Sequence, residues 1–522
     1  MCSKYCELLI IKARVTDWEA KGGLHVVSLT ITPIFQNSSH HLANPQEMRL
    51  GKRPFTWDGL FCVPYMAPSR SLGWPRSWFH NQATAAVERP PPSTSIPQSV
   101  LVDEEVVSGY DRSTFYPAYP GQILDGRFEL KAKIGWGSSS TVWLAKDISW
   151  TSMLKSNKYA ALKITTSDTP RDGEVNHEVA MAERLGSANG QHRGRAIVCI
   201  PHEAFVIESP ATGLSHLCLA FEPLRDPLWL LRQRLCGDRV TRDWLPMFKV
   251  FIQILLEGLD YLHSECKVVH ADLKLDNIMM TFEDQSVLES FVQGQKEHPM
   301  ARKLDGDHAK YRCHNNFGDI ADHTALKKMY PKLTDFGLAQ PVDQSSPLLH
   351  PIQPDYSHAP EVLLGTSWSY PADIWNLGTM IWDLLSGRQL FQVDARNSEL
   401  YDPEQHLADM IALLGPMPQL LIERERAMRE VKWTPQVRNA KGRLCDNAAE
   451  YFGGPFLTNE GEFVRKDLIS HSRTLESETP DCIAAEDRNR FLSFLKRTLA
   501  WLPEDRATAK ELKEDPWFDV KL

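Results

Sequence analysis

Three side chains in one short polar stretch have the types and spacing to move a phosphoryl group. In Val268-Val269-His270-Ala271-Asp272-Leu273-Lys274-Leu275-Asp276-Asn277-Ile278-Met279-Met280, a Lys stands two residues after Asp272 and an Asn three residues beyond that. An Asp can accept the proton of an attacking hydroxyl, a Lys can steady phosphoryl oxygens, and an Asn can bind a magnesium ion. A second carboxylate, Asp335, sits in Lys332-Leu333-Thr334-Asp335-Phe336-Gly337. This D-F-G element would hold magnesium against the β- and γ-phosphates of a nucleotide. Lys163 follows small and apolar residues in Lys158-Tyr159-Ala160-Ala161-Leu162-Lys163-Ile164. That fits the V-A-I-K pattern, whose Lys pairs with the α- and β-phosphates. A surface lysine on an edge strand would read the same in isolation.

Elements with the right periodicity surround these residues. The two apolar pieces of the first stretch read as short buried strands flanking a loop. Arg127 to Ile134 alternates as a strand and runs into Gly135-Trp136-Gly137-Ser138-Ser139-Ser140-Thr141-Val142 and a second strand. This is a flap whose backbone N–H groups can approach phosphates closely, with Val142 placed to cover a flat base. A plain hairpin turn accounts for a lone G-x-G equally well. An acidic helix is expected over 174–185; Glu178 is the candidate to orient Lys163, with Glu174 and Glu183 as rivals. His216 to Leu224 reads as a buried strand opening into a connector. In 247–265, Phe248, Phe251, Ile252, Leu255, Leu256, Leu259 and Leu262 recur at helical spacing and mark a core helix. Ala359-Pro360-Glu361 supplies an A-P-E element, and 373–385 reads as a helix with Ile374, Leu377, Ile381 and Leu384 on one face. Arg506 is a candidate ion-pair partner for Glu361. Between Met280 and the D-F-G element, 281–330 reads as a polar insertion of weak periodicity. Its Cys313, His308, His314 and His323 fit no standard metal site.

The whole chain sets wider bounds. It has 522 residues, net charge −9, 42% apolar and 24% charged residues, ordinary for a globular protein with a large core. Mild acidity argues against a general nucleic-acid coat. The 10 cysteines lack paired spacing, which favours a reducing compartment over a disulfide framework. No apolar run is long enough to span a bilayer, and the Leu8 to Ile11 patch makes no persuasive signal peptide. Residues 1–102 mix Trp, Pro, Ser, His and Asn without period and read as a largely disordered extension, with Pro90-Pro91-Pro92-Ser93-Thr94-Ser95 as linker.

Taken together, these elements resemble the eukaryotic protein kinases over roughly residues 125–520, and most of all the SR-protein kinases, particularly the fungal ones. Further carriers are Phe115-Tyr116-Pro117, Gly135-Trp136-Gly137, Gly258-Leu259-Asp260-Tyr261-Leu262-His263, Pro371-Ala372-Asp373-Ile374-Trp375 and Leu413-Leu414-Gly415. The insertion also falls where that family keeps its spacer. The resemblance implies an α+β fold of two lobes: a β-rich N-lobe over 103–224 and a mainly helical C-lobe over 225–522. It implies ATP and Mg2+ as cofactors, with Asp272 and Lys274 catalytic and Asn277 and Asp335 on the metal. The nucleotide would lie against Ile134, Gly135, Trp136, Gly137, Ser138, Ser139, Ser140, Thr141, Val142, Ala161, Lys163 and Glu178. Backbone groups of Glu222 and Leu224 would bond the adenine, Phe221 would close the pocket behind it, and Asp373 would brace the catalytic loop.

The implied activity is serine/threonine protein phosphorylation, with Lys274 favouring Ser/Thr over Tyr acceptors. Arg-Ser-rich splicing factors are candidate substrates, in the cytoplasm or nucleus. A monomer is expected, with no direct nucleic-acid or membrane partner. Three departures matter. Ala271 replaces the Arg that clamps a phosphorylated activation segment in most kinases, an absence shared with SR-protein kinases, so activity is expected without phosphorylation at Ser345, Ser346 or Ser357. Phe336 stands where that family usually has Leu. Gln405 and Ala412 occupy docking-groove positions where acids are expected, while Asp402, Glu404 and Asp409 remain. Two rival readings are a pseudokinase that binds partners without turnover and a small-molecule kinase. Retention of every catalytic position speaks against the first, and the A-P-E element and long helical region speak against the second.

Overall fold

The computed structural model describes residues 95–519 except 108, 150–157, 168–176, 211, 307, 321–322, 344–346 and 392–400, plus short strands among residues 14–64. The extension expected over 1–102 therefore lies mostly outside the described residues, as do Glu174, Ser345 and Ser346. From Ser95 the chain is placed: Ser95 bridges Arg302, and Ile96 is buried.

The chain divides into two compact units, and the division does not follow the 224/225 boundary. One unit takes Ser71–Arg234 and Tyr261–Ser345. It is built on a six-stranded antiparallel sheet of β1 (Ile123–Leu124), β2 (Phe128–Trp136), β3 (Ser140–Asp147), β4 (Tyr159–Thr165), β5 (Glu203–Glu208) and β6 (Ser215–Phe221), in the order β5-β6-β4-β3-β2-β1. Alternation and apolar content made β2, β3, β4 and β6 legible in the sequence, whereas β1 and β5 carried no such signal. Helix α1 (His177–Ser187) follows β4. Next come β7 (Val268–Val269) and β8 (Ile278–Met280), the two short strands read around Asp272.

The insertion, polar and weakly periodic in sequence, holds regular elements: α2 (Ser286–Glu297), the hairpin β9 (Arg302–Asp305) and β10 (His308–Tyr311), and a helical turn at His323–Leu326. Leu288, Phe291, Val292, Met300, Tyr311 and Phe317 are buried in one core with Leu130, Trp143 and Leu162 of the sheet. The spacing of 288, 291 and 292 is that of one helix face, but Glu, Gln and Lys around it dilute the period. The insertion closes on itself, the Thr281 N–H donating to the Tyr330 carbonyl at 3.0 Å. Strand β8 then pairs antiparallel with β11 (Pro331–Leu333), and β7 with β12 (Gln340–Pro341). These pairings bring the Asp272 loop and the D-F-G element side by side.

The other unit includes Leu235–Asp260 and Ser346–Leu522 and is mainly helical. Its helix Leu245–Asp260 buries Phe248, Phe251, Ile252, Leu255, Leu256 and Leu259, as their spacing predicts, and the helical path expected to 265 continues as a π-helical turn, Tyr261–Cys266, in which Leu262 is buried. Lys249 is also buried there, donating to Asp487 at 2.6 Å and to the Trp517 carbonyl at 2.7 Å. The helix Pro371–Ser386 is buried on almost every side. Its Gly378 is required by packing, since a Cβ there would lie 2.5 Å from Thr498 Oγ1. Glu361 and Arg506, both fully buried, form the expected pair through two hydrogen bonds of 2.7 Å.

Candidate active site

The loop between β7 and β8 is fixed by its own backbone. Ala271 is buried with φ 66°, and Asp335 has φ 62°. Left-handed backbone at non-glycine residues costs energy and persists only where surroundings impose it. His270 helps impose it: its ring accepts the Asp272 N–H at 3.3 Å through Nδ1 and reaches the Thr334 carbonyl at 3.0 Å through Nε2. One acceptor and one donor suit the neutral imidazole. The Phe336 ring packs 4.9 Å from the His270 ring.

Asp272 is held from two sides. Lys274 Nζ donates to its two carboxylate oxygens at 2.8 and 3.1 Å. Asn277 Nδ2 donates to Asp272 Oδ2 at 2.9 Å and to the Asp272 carbonyl at 2.8 Å. With both amide hydrogens engaged, the Asn277 side chain offers its Oδ1 as a ligand oxygen. The Thr334 N–H and hydroxyl both donate to the Asn277 carbonyl, at 2.9 and 3.0 Å. The residue next to Thr334 is Asp335, so the two candidate metal oxygens belong to hydrogen-bonded neighbours.

Lys163 completes the set. Its Nζ lies 2.7 Å from Glu178 Oε1 and 3.2 Å from Asp335 Oδ1. Among the described residues this selects Glu178 over Glu183. Burial works against the Lys163 charge, yet the Glu178 and Asp335 carboxylates outweigh it and raise the ammonium pKa above its ordinary value. Burial likewise pushes the Asp335 carboxyl up, but the Lys163 charge and hydrogen bond hold it below the usual carboxylate range. Asp335 is thus anionic at neutral pH. A carboxylate and an amide oxygen are hard donors of the kind magnesium prefers, so the residues present fit that ion.

The residues expected on the nucleotide side lie on or beside the sheet. Gly135 stands opposite Val142, where a Cβ would come 3.3 Å from the valine Cβ. The Gly137 N–H closes the flap onto the Ser140 carbonyl at 2.9 Å, leaving Ser138 and Ser139 at its exposed tip. Val142 lies across from Lys163, and Ala161 across from Phe221. Leu224 is buried, Ile134 half-buried and Trp136 exposed. Thr141 departs from the expected grouping: it neighbours Val142 and so turns its side chain to the opposite face, where it accepts from Trp143 Nε1 at 3.3 Å.

Sequence reasoning missed three residues that shape this region. Lys332 pairs with the connector residue Glu222 and is itself buried. His177 Nε2 lies 2.8 Å from the Ala339 carbonyl and ties the start of α1 to the segment after D-F-G. Arg225, buried, donates to the Gly318 carbonyl at 2.6 Å and ties the connector to the insertion. Lys332 and His177 each adjoin a motif in sequence; nothing marked Arg225 beforehand.

Comparisons with known proteins agree with this geometry. A family model described as "Protein kinase domain" matches residues 128–518. A serine/threonine protein kinase of Aspergillus fumigatus is 31% identical over 85% of this chain and 98% of its own. The serine/threonine-protein kinase SRPK of Physarum polycephalum is 26% identical, covering 80% and 91%. The protein kinase dsk1 of Schizosaccharomyces pombe is 23% identical, covering 81% and 86%.

Proposed function

Since the chain belongs to the protein kinase family and is an SR-protein-kinase-like protein serine/threonine kinase, we propose that it uses ATP and magnesium, with Asp272, Lys274, Asn277, Asp335, Lys163 and Glu178 as its working residues. One observation carries this assignment: the Asp272–Lys274–Asn277 cluster and the Lys163–Glu178–Asp335 cluster are joined through Thr334.

In this mechanism Asp272 orients the acceptor hydroxyl and takes its proton at a carboxylate oxygen. Lys274, already held against Asp272, neutralises charge on the transferring group. Lys163, held by Glu178, positions the phosphates. Asn277 Oδ1 and the Asp335 carboxylate would hold magnesium, which supplies charge neutralisation on the phosphate oxygens. Most of the acceleration comes from positioning and electrostatics, because phosphoryl transfer asks little covalent chemistry of the protein. The test is Asp272→Asn: turnover should fall by about 10²- to 10⁴-fold with nucleotide affinity retained. Wild-type turnover no faster than the variant's would favour the pseudokinase reading.

The finer reading is action on Arg-Ser-rich proteins in mRNA processing. Its support is the resemblance and the relative named SRPK. The helix Pro403–Leu414 constrains how such a substrate could dock. Asp402 caps this helix, accepting from the Glu404 and Gln405 N–H groups. Glu404 is paired with Arg465 at 2.7 Å, and buried Asp409 with Arg473 at 3.0 Å. The carboxylates that could have gripped a run of arginines already have partners. Recognition therefore rests on residues next to the acceptor. A peptide panel varying those neighbours tests this; activity that instead tracked arginine number far from the acceptor would refute it.

Independence from activation-segment phosphorylation has local support too. Gln353 accepts the Ala359 N–H at 2.7 Å and donates to the Ala372 carbonyl at 2.9 Å, and Asn376 donates to the Ser357 carbonyl at 2.8 Å. Uncharged contacts thus hold the end of the segment. Loss of turnover on phosphatase treatment would sink this reading.

A further inference from the structure

The sheet unit contains a cavity of about 460 Å3, on the side of the sheet away from Lys163. Strand register fixes that side. Val142 lies across from Gly135 and Lys163, whereas Trp143 lies across from Lys133 and Leu162. Adjacent strand residues point to opposite faces, so Trp143 and Lys133 face away from Val142 and Lys163. The cavity wall comes from four stretches: the lead-in 104–118, strands β2 and β3, Ser209 and Thr212 just beyond β5, and the hairpin strand β10.

Its chemistry is specific. Tyr110, Phe115, Tyr116, Trp143 and Tyr311 line it with aromatic rings. The charges around it are already matched. Lys133 holds Glu104 and, at 3.0 Å, Asp103. Lys310 and Lys303 hold Glu105 at 2.6 and 2.8 Å, and Asp111 accepts from both the N–H and the hydroxyl of Ser113. Counting Arg112 at the rim, the four cations on or beside the wall equal the four carboxylates in number. Ser209, 2% exposed, is one of these lining residues, and its hydroxyl has no hydrogen-bond partner among the described residues. Buried polar groups are nearly always paired, so an orphan hydroxyl on a cavity wall marks a place for a ligand atom.

We propose that this cavity is a binding site for an uncharged aromatic small molecule bearing one hydrogen-bonding group, with Ser209 Oγ as its polar contact. The volume suits a small ligand. Aromatic walls favour an aromatic guest. Matched wall charges offer an ionic guest no counter-charge to repay its desolvation.

Indole is the probe, titrated into the full-length protein labelled with 15N at tryptophan, with the Trp143 signal assigned through Trp143→Phe. Saturable shifts of the Trp143 side-chain N–H are expected, unchanged by a non-hydrolysable ATP analogue. Benzoate and benzylammonium should bind at least tenfold more weakly. Ser209→Ala should weaken indole by about fivefold, the worth of one neutral hydrogen bond. Thr212→Phe, at the exposed rim, should obstruct entry without touching the buried wall. The proposal is overturned if indole leaves Trp143 unmoved, if the nucleotide analogue displaces it, if benzoate matches it, or if both variants bind it as the wild type does.

Discussion

Truncating Arg506 is the most demanding test of how the helical unit is held together. Its guanidinium makes two 2.7 Å bonds to Glu361 and further bonds to the carbonyls of Ala500 at 2.9 Å and Pro371 at 3.0 Å. It also lies over the Trp375 ring, 4.9 Å from the centroid. Both ion-pair partners are fully buried. In Arg506→Ala, water cannot take over the Glu361 carboxylate without opening the core. Breaking a buried pair from one side costs about 3–5 kcal/mol, and the orphaned carbonyls place this case in the upper part of that range. Against a net stability of about 5–15 kcal/mol for a folded domain, the loss is severe. Urea unfolding of the wild type, Arg506→Ala, Arg506→Met, Glu361→Gln and the double variant Arg506→Met with Glu361→Gln would measure it. The double variant should be markedly more stable than the sum of the single losses, because it leaves no buried charge unpaired. A loss below about 1 kcal/mol for Arg506→Ala, or additive losses, would show that the pair behaves as a solvated one and refute the reasoning.

Other consequences follow from the charge pairs. Lys163→Met should reduce turnover by at least about 100-fold, and Glu178→Gln by less, since the lysine charge survives; a radiolabelled-phosphate assay ranks them. The Lys163–Asp335 pair also has a pH signature. Asp335 titrates below its ordinary range when folded, so this contribution to stability is present above the unfolded-state pKa and is lost as pH falls through the folded one. In Lys163→Met the largest lowering influence disappears while burial and the smaller effects of His270 and the Gly337 N–H remain, so the Asp335 carboxyl signal in 13C NMR should titrate at higher pH than in the wild type. Arg465→Ala should release Glu404 and lower the KM for an arginine-bearing peptide by about two- to threefold at low salt, the worth of one exposed ion pair, with kcat unchanged; an unchanged KM would place the peptide away from this helix.

How much of this was legible in the sequence depends on the range of the interaction. The Asp272 loop, the flap and the helix Leu245–Asp260 declare themselves through local spacing, because their contacts are set by strand and helix periods. The pair Glu361–Arg506 was readable across 145 positions only because each residue sits in a recognisable motif. Lys332 with Glu222, and Arg225 with Gly318, are long-range contacts between segments of ordinary composition. Thr141 was misgrouped for another reason: a run of small residues reads as one flap, yet where the run becomes β3 its side chains alternate between faces.

The insertion shows how a polar, weakly periodic stretch can still be ordered by the fold. A structureless stretch of that length inside a folded domain is itself unusual. Closing a loop of about 50 residues costs roughly 3.5 kcal/mol in chain entropy by the logarithmic scaling, a cost that falls on the β8–β11 pairing beside Asn277 and Asp335. Burying Leu288, Phe291, Val292, Met300, Tyr311 and Phe317 in the sheet's core opposes it, with each large apolar side chain contributing about 1.5–3 kcal/mol before its own ordering is counted. These six docking residues are spread over positions 288–317, too scattered to dominate a window of sequence, yet enough to dock the segment. Variants that weaken this docking without touching the site, such as Phe291→Ala, should loosen the Thr334–Asn277 hydrogen bonds as well as α2. Hydrogen exchange at the Thr334 amide reads this directly: faster exchange in Phe291→Ala is expected, and unchanged exchange there beside faster exchange in α2 would show that the pairing of β8 with β11 stands without the insertion.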